Sequence, residues 1–330
     1  MKIAIIGSGS WATALAHVFA KNDHTCLLVG RDENAFDNQR HINVRYFPDI
    51  VLNERISYTT SLKEGLNGAE MVLFCIPSGA MRLMAKEVSK YLDHKVMILS
   101  ATKGLDAKTF EPLSNVLKEE LPKEYVEGVV SIIGPSFANE VIHDKVTAIV
   151  AVSSDEKEAI KVQKAFSCDT FRIYTNDDEI GCQIGAALKN VLAIAGGAIY
   201  GLGEGENAKA ALVTRGLHEI IRLGSALGGK VETFYGLTGI GDLLLTCSSP
   251  QSRNFYLGMQ IGQKDDAQDV LKENKKTVEG VLTCKYAKAL ADKLSISMPI
   301  LNGVYSVLFE GQKPSQMVHE TMVRKLKSEH

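Results

Sequence analysis

The chain has 330 residues, 45% of them apolar and 23% charged, which is enough to bury a full core and to make two domains. Its formal net charge of −2 argues against nucleic acid or an anionic membrane as the main partner, because neither is drawn to a faintly acidic surface. The six cysteines, Cys26, Cys75, Cys168, Cys182, Cys247 and Cys284, show no CxxC spacing and several lie in apolar runs, so they read as buried thiols of a reducing cytosol, with no metal site expected.

Lys2–Ile6 is a short apolar run rich in isoleucine. It ends on Gly7, Ser8, Gly9 and Ser10, and a helical pattern follows through Trp11, Leu15, Val18 and Phe19. That order is strand, tight turn, helix. Gly7 supplies the turn's unusual dihedrals, Gly9 lets a pyrophosphate approach the backbone, and the new helix offers N–H groups and a positive dipole end to phosphates. The third glycine of the fingerprint is replaced by Ala12, which adds one methyl group between helix and strand. A second strand, Thr25–Val29, follows at the distance a βαβ unit demands, so the turn reads as a dinucleotide site rather than a glycine turn that binds nothing. Met1 leads directly into the first strand and leaves no room for a signal peptide, an expectation that points to the cytoplasm. At the end of the second strand an acidic residue grips a ribose 2′-hydroxyl and an arginine accommodates a 2′-phosphate. Here Gly30 and Arg31 precede Asp32, which favours NADP without excluding NAD.

Further strands are expected at Ile56–Thr59, 71–76, 96–99 and 129–133, with helices such as 81–91 and 109–120 between them. This alternation predicts a parallel, doubly wound sheet that takes ligands at the carboxyl ends of its strands. Those ends carry Pro77 and Ser78, then Ala101, Thr102, Lys103 and Gly104, then Gly134, Pro135, Ser136, Phe137 and Ala138. Two more extended stretches, Thr147–Val152 and 170–174, bracket a helix at Glu156–Phe166 and extend the same sheet.

After Asn176 strand-like alternation stops. Helical segments follow, broken by glycine turns at Gly201, Gly203 and Gly205, at Gly228 and Gly229, and at Gly236, Gly239 and Gly241. The chain is therefore expected to be an α/β Rossmann-type dinucleotide-binding domain, residues 1–176, followed by an all-α substrate domain, residues 177–330. The stretch 180–203 holds a single charge, Lys189, but five glycines before Gly203, Gln183, Asn190 and the lack of a basic flank favour a buried helix over a membrane span. The tail, 324–330, is charged and expected to fray.

Lys189 is the most informative side chain of the second half, because the run IGAALKNVLAIAGGAI otherwise buries completely. A buried lysine is costly unless paired or used, and desolvation with nearby cations lowers an ammonium's pKa toward that of a useful proton donor. A lysine snorkelling from a helix edge is the plainer alternative. Lys103 follows a strand that should end at the cofactor, and two lysines converging on one cleft suit an anionic substrate; a solvated loop lysine fits the residue equally well. Asp242, between a glycine-rich turn and LLLTC, either orients Lys189 or caps a helix. Arg253 and Asn254, in PQSRNF, have the chemistry of an anion clamp, while a surface turn accounts for them as readily.

Taken together these residues resemble NAD(P)-dependent glycerol-3-phosphate dehydrogenase of the bacterial type. The resemblance runs from GSGSWATALA to about Gly311 through LLVGRD, NVRYFPD, CIPSGAMR, ATKGL, GPSFANE, GAALKNVLAI, NAKAALVTRG, GLTGIGDLLLTC, QSRN and VEG, all in the family's order. It implies reduction of dihydroxyacetone phosphate to sn-glycerol 3-phosphate, the backbone of phospholipids. Lys189 then matches the family's proton acceptor in the oxidation direction, and donates in reduction. Lys103, Gly134, Ser136, Asp242, Ser252, Arg253 and Asn254 fall on substrate-contact positions, with Thr246 on a polar position near them. Ser10, Trp11, Arg31, Ala138 and Glu279 fall on cofactor-contact positions beside Gly7 and Gly9, and Lys103, Arg253 and Asn254 meet the neighbourhood of both ligands. Ala12 departs from the family's usual glycine, and a homodimer is the family's habit. Two other readings stay open: a relative in the β-hydroxyacid dehydrogenase group, whose asparagine usually stands four residues after the lysine, where this chain has Ile194, and a nucleotide-sensing protein without catalysis.

Overall fold

The computed structural model describes every residue except 107, 108, 110, 275–277, 327 and 330. It divides into two compact units, Met1–Gln183 and Ile184–His330. The first holds a sheet of eight strands: β1 (Lys2–Ile6), β2 (Thr25–Val29), β3 (Ile56–Thr59), β4 (Met71–Phe74), β5 (Val96–Ser100), β6 (Val126–Ile133), β7 (Thr147–Val152) and β8 (Phe171–Asn176). Their order is β3-β2-β1-β4-β5-β6-β7-β8. The chain steps outward from β1 to β3 and then restarts at β4 on β1's other side, so the switch point lies at β1, where the glycine turn begins. The helices of this unit are α1 (Ser10–Lys21), α2 (Leu62–Leu66), α3 (Met81–Ser89), α4 (Leu113–Glu120), α5 (Ala138–Ile142) and α6 (Glu156–Phe166). Side chains alternate across β1, and each face finds its own cover. Ile3 and Ile5 pack with Ala12, Leu15 and Phe19 of α1, while Ala4 and Ile6 pack with Met81, Ala85 and Val88 of α3.

One strand pair departs from the all-parallel expectation: β7 runs antiparallel to β6, with Ser131 opposite Val152 and Ile133 opposite Val150. A parallel return needs a crossover long enough to carry the chain back along the sheet. The only helix between these strands is α5, with five residues against eight in β6, so the chain reverses instead. Residues 134–146 consequently stay at the carboxyl end of β6. Strand β4 stops at Phe74 rather than at 76, because the Ile76 N–H turns to the Thr102 hydroxyl, 3.2 Å away. The helix expected over 109–120 begins at Leu113 behind Pro112, and Phe110 lies outside the described residues. Of the charged tail, Lys327 and His330 also lie outside them.

The second unit is helical. It comprises α7 (Glu179–Leu202), whose first turn belongs to the first unit, then α8 (Gly205–Ala226), α9 (Val231–Phe234), α10 (Asp242–Cys247), α11 (Arg253–Lys264), α12 (Ala267–Glu273), α13 (Glu279–Lys293), α14 (Pro299–Phe309) and α15 (Pro314–Met322). The last strand ends at Asn176, and the division between units falls between Gln183 and Ile184. By length and composition α7 could cross a membrane, yet 83% of its most apolar stretch is buried inside the fold. Gly201, read as a turn, lies inside α7. A side chain there, or at Gly197, would meet the backbone of Phe255 to Gln263, and one at Gly258 or Gly262 would meet the backbone of Ile194 or Ala198. These glycines let α7 and α11 touch backbone to backbone rather than break the helix.

Candidate active site

At the first turn Gly7 has φ +120°, and its N–H donates to the Val29 carbonyl at 2.8 Å. A Cβ here would run into the carbonyl of Cys75, so the position requires glycine on two grounds. Gly9 is different: nothing lies within 4 Å of where its Cβ would be. It caps α1 without any side chain to occupy the first-turn N–H groups. An open backbone at a helix start fits the pyrophosphate of a dinucleotide. Ala12 is fully buried in the core cluster, so its methyl group is accommodated. Trp11, beside Ser10 in the first turn, has a buried indole N–H without a hydrogen-bond partner. After β2, Arg31 is exposed, whereas the Asp32 carboxylate accepts from the Asn34 N–H at 3.0 Å and caps a short turn on its own loop.

At the carboxyl ends of β5 and β6 two side chains meet one oxygen. The half-buried Lys103 donates its Nζ to the Gly134 carbonyl at 3.0 Å, and the Ser136 hydroxyl donates to the same oxygen at 3.1 Å. Gly134 has φ +155°, and a Cβ would lie 2.9 Å from the Ile149 Cα. Ala138 opens α5.

In the second unit Lys189 is 5% exposed and Asp242 1%, and the two form an ion pair. Lys189 also donates to the Thr246 hydroxyl at 3.0 Å, which in turn donates to the Asp242 backbone carbonyl at 2.6 Å. The sequence around this pair explains how it assembles. Gly185 lies one helical turn before Lys189 on α7, and a Cβ there would sit 2.8 Å from the Thr238 carbonyl. Because the position is glycine, the wide turn 237–241 settles onto α7 and delivers Asp242 to Lys189. Burial pushes the neighbouring Cys247 thiol up to about 12, with Lys189 and Asp242 acting in opposite senses, so it stays neutral.

The QSRN segment forms the start of α11. Ser252 caps it by accepting from the Phe255 N–H at 3.3 Å, and Arg253 is exposed at its first residue. Asn254 is 8% exposed and joins three helices: its amide donates to Asn190 Oδ1 at 3.0 Å and its Oδ1 accepts from the Gly280 N–H at 2.8 Å. Glu279 is half-buried at the first residue of α13. Within their units the structure thus gathers Lys103, Gly134 and Ser136, then Lys189, Asp242 and Thr246, and then Asn254 with the start of α13. Two buried asparagines were given no site role by the sequence reading, Asn190 and Asn43. Asn43 opens NVRYFPD and Asn190 follows Lys189 in GAALKNVLAI, so the motifs that contain them were the available signal.

Family models for the N-terminus and the C-terminus of NAD-dependent glycerol-3-phosphate dehydrogenase match residues 2–159 and 178–319. The chain belongs to the NAD-dependent glycerol-3-phosphate dehydrogenase family. It is 44% identical to the glycerol-3-phosphate dehydrogenase [NAD(P)+] of Streptococcus uberis, covering 100% of this chain and 98% of that protein. It is also 44% identical to the enzyme of that name from Enterococcus faecalis, covering 100% and 97%. The crystal structure of glycerol-3-phosphate dehydrogenase from Coxiella burnetii superposes with a TM-score of 0.91 at 37% identity, covering 98% of this chain and 99% of that one.

Proposed function

We propose that this chain reduces dihydroxyacetone phosphate to sn-glycerol 3-phosphate with NADPH or NADH, in the cytoplasm, as a source of the glycerophospholipid backbone. The observation that carries the reading is the buried Lys189, Asp242 and Thr246 constellation on a chain whose opening turn fits a dinucleotide. Gly7, Gly9, Ser10, Trp11, Arg31, Ala138 and Glu279 would hold the coenzyme, which supplies a hydride to the carbonyl carbon when bound. Negative charge then develops on the carbonyl oxygen, and Lys189 delivers a proton to it. Asp242 and Thr246 hold Nζ in place, and in the oxidation direction the same amine takes the proton back. The neutral Cys247 thiol adds no competing anion. Lys103, Gly134, Ser136, Ser252 and Arg253 are the substrate contacts of this reading, with Asn254 beside them. Arg253 supplies the guanidinium for the phosphate, and Asn254, spent on Asn190 and Gly280, acts by fixing the ground on which Arg253 stands.

Mixing the protein with NADPH and dihydroxyacetone phosphate should bleach the nicotinamide absorbance and yield glycerol 3-phosphate. A steady absorbance with NADPH and with NADH refutes the activity. The protein is further proposed to be a homodimer, and light scattering that returns the mass of one chain refutes that.

A further inference from the structure

We propose that Asn43 is a positioning residue for the coenzyme's pyrophosphate, acting through the backbone of the glycine turn. The inference rests on the reading above. Asn43 belongs to NVRYFPD, a motif that the proposed chemistry leaves without a task. It is 0% exposed, as is Thr13. Its Nδ2 donates both to the Ser8 carbonyl at 3.1 Å and to the Thr13 hydroxyl at 2.8 Å. The Thr13 hydroxyl passes its own proton on to the Gly9 carbonyl at 3.0 Å, and Asn43 Oδ1 accepts from the Tyr46 N–H at 3.1 Å, which fixes the amide's orientation.

The two carbonyls held in this way belong to the peptide units that carry the Gly9 and Ser10 N–H groups. None of the described peptide bonds is cis. In a planar trans peptide the N–H points opposite to the C=O. Drawing the Ser8 and Gly9 oxygens toward Asn43 and Thr13 therefore turns the next two N–H groups the other way. Gly9 is also the residue whose Cβ direction is open. The glycines make the turn possible; the Gly9 carbonyl is held as well by the first bond of α1, from the Thr13 N–H at 3.0 Å, and the buried amide adds the hold on the Ser8 carbonyl, which turns the Gly9 N–H toward an anion. Neither Asn43 nor Thr13 needs to touch the coenzyme.

The chain's single tryptophan, Trp11, stands in this helix's first turn, so its emission can follow NADPH binding directly. Asn43→Asp keeps the shape but removes both donors, and it should weaken NADPH binding about tenfold or more. The expected mark in steady-state kinetics is a rise in KM for NADPH with a much smaller change in kcat. Thr13→Val, which removes the hydroxyl that accepts from Asn43 and relays to the Gly9 carbonyl but leaves the Asn43–Ser8 bond, should weaken binding about threefold, and Thr13→Ser should restore the wild-type value. In the double variant the two losses should not add, because both run through one chain of hydrogen bonds. Unchanged NADPH affinity in Thr13→Val and Asn43→Asp, with only the melting temperature lowered, overturns the proposal. If Asn43→Asp does not fold, Thr13→Val against Thr13→Ser decides it alone. Wild-type protein that binds neither NADPH nor NADH overturns the functional reading and this inference with it, whereas wild-type binding matched by the variants overturns the inference only.

Discussion

At the opening turn of the first unit the groups proposed to meet an anion are backbone N–H groups, aimed by Gly7, Gly9 and the buried amide of Asn43, whereas in the second unit the proposed proton donor is a side chain, Lys189, ion-paired with Asp242 and buried among helices. A backbone site carries no titrating group and depends on chain geometry. A side-chain site depends on a balance of buried charges, so removing one member harms both its chemistry and its stability. The two kinds of site should therefore fail in different ways.

The largest effect is expected at Lys189. Lys189→Met removes the proton and should lower kcat by about 10² to 10⁴, while Trp11 emission still reports normal NADPH binding. It also takes the ion-pair partner from a carboxylate that is 1% exposed, so a stability loss of about 3–5 kcal/mol should appear in denaturant melts. Adding Asp242→Asn should return much of that stability and none of the turnover. A Met variant that keeps more than about a tenth of wild-type kcat rules this lysine out as the acid.

Next comes Arg253, exposed at the start of α11. Arg253→Ala should cut kcat/KM for dihydroxyacetone phosphate by about 10- to 100-fold and spare unphosphorylated dihydroxyacetone, since only the former loses a charge-assisted bond. Equal losses for the two would assign the arginine to the coenzyme or the fold. Arg31 tests whether a side-chain charge adds to the backbone groups of the opening turn. Arg31→Asp should weaken NADPH by about tenfold and NADH less, and equal losses would make the residue structural.

The smallest effect is a slope. Burial pushes the Glu179 carboxyl up, but the Lys118 ammonium at 2.8 Å and the Ser114 hydroxyl at 2.8 Å outweigh it, so the carboxyl lies below its ordinary value. A carboxyl lowered by folding stabilises the protein above its unfolded-state pKa, and that contribution is lost as the pH falls through the folded value. Glu179→Gln should flatten the fall of melting temperature with acid that begins near pH 4.5, and an unaltered slope would show that the Lys118 pair contributes nothing.

Much of this was legible beforehand, for definite reasons. The apolar runs at Lys2–Ile6, Thr25–Val29 and Thr147–Val152 have the bounds the sequence suggests, because both faces of each must be apolar to sit between helix layers. Periodicity has no direction, so the reversal between β6 and β7 could not be read from it. Lys189 stood out because a charge in an apolar helix violates the pattern. Its neighbours Asp242 and Thr246 are polar residues at a helix start and end, where the pattern tolerates them anyway. Asn43 stood in a noted motif, NVRYFPD, but nothing marked its own task, since an asparagine in a loop is ordinary until its amide is seen fully buried.

Burial pushes the thiols of Cys26, in β2, and of Cys247 and Cys284, in α10 and α13, up to about 12. An electrophile attacks thiolate, so at neutral pH these sulfurs are out of reach twice over, by access and by protonation. Each becomes reactive only while the structure around it is open. Alkylation timed by mass spectrometry thus turns three ordinary cysteines into clocks, with Cys26 counting the openings of the sheet unit and the other two those of the helical unit.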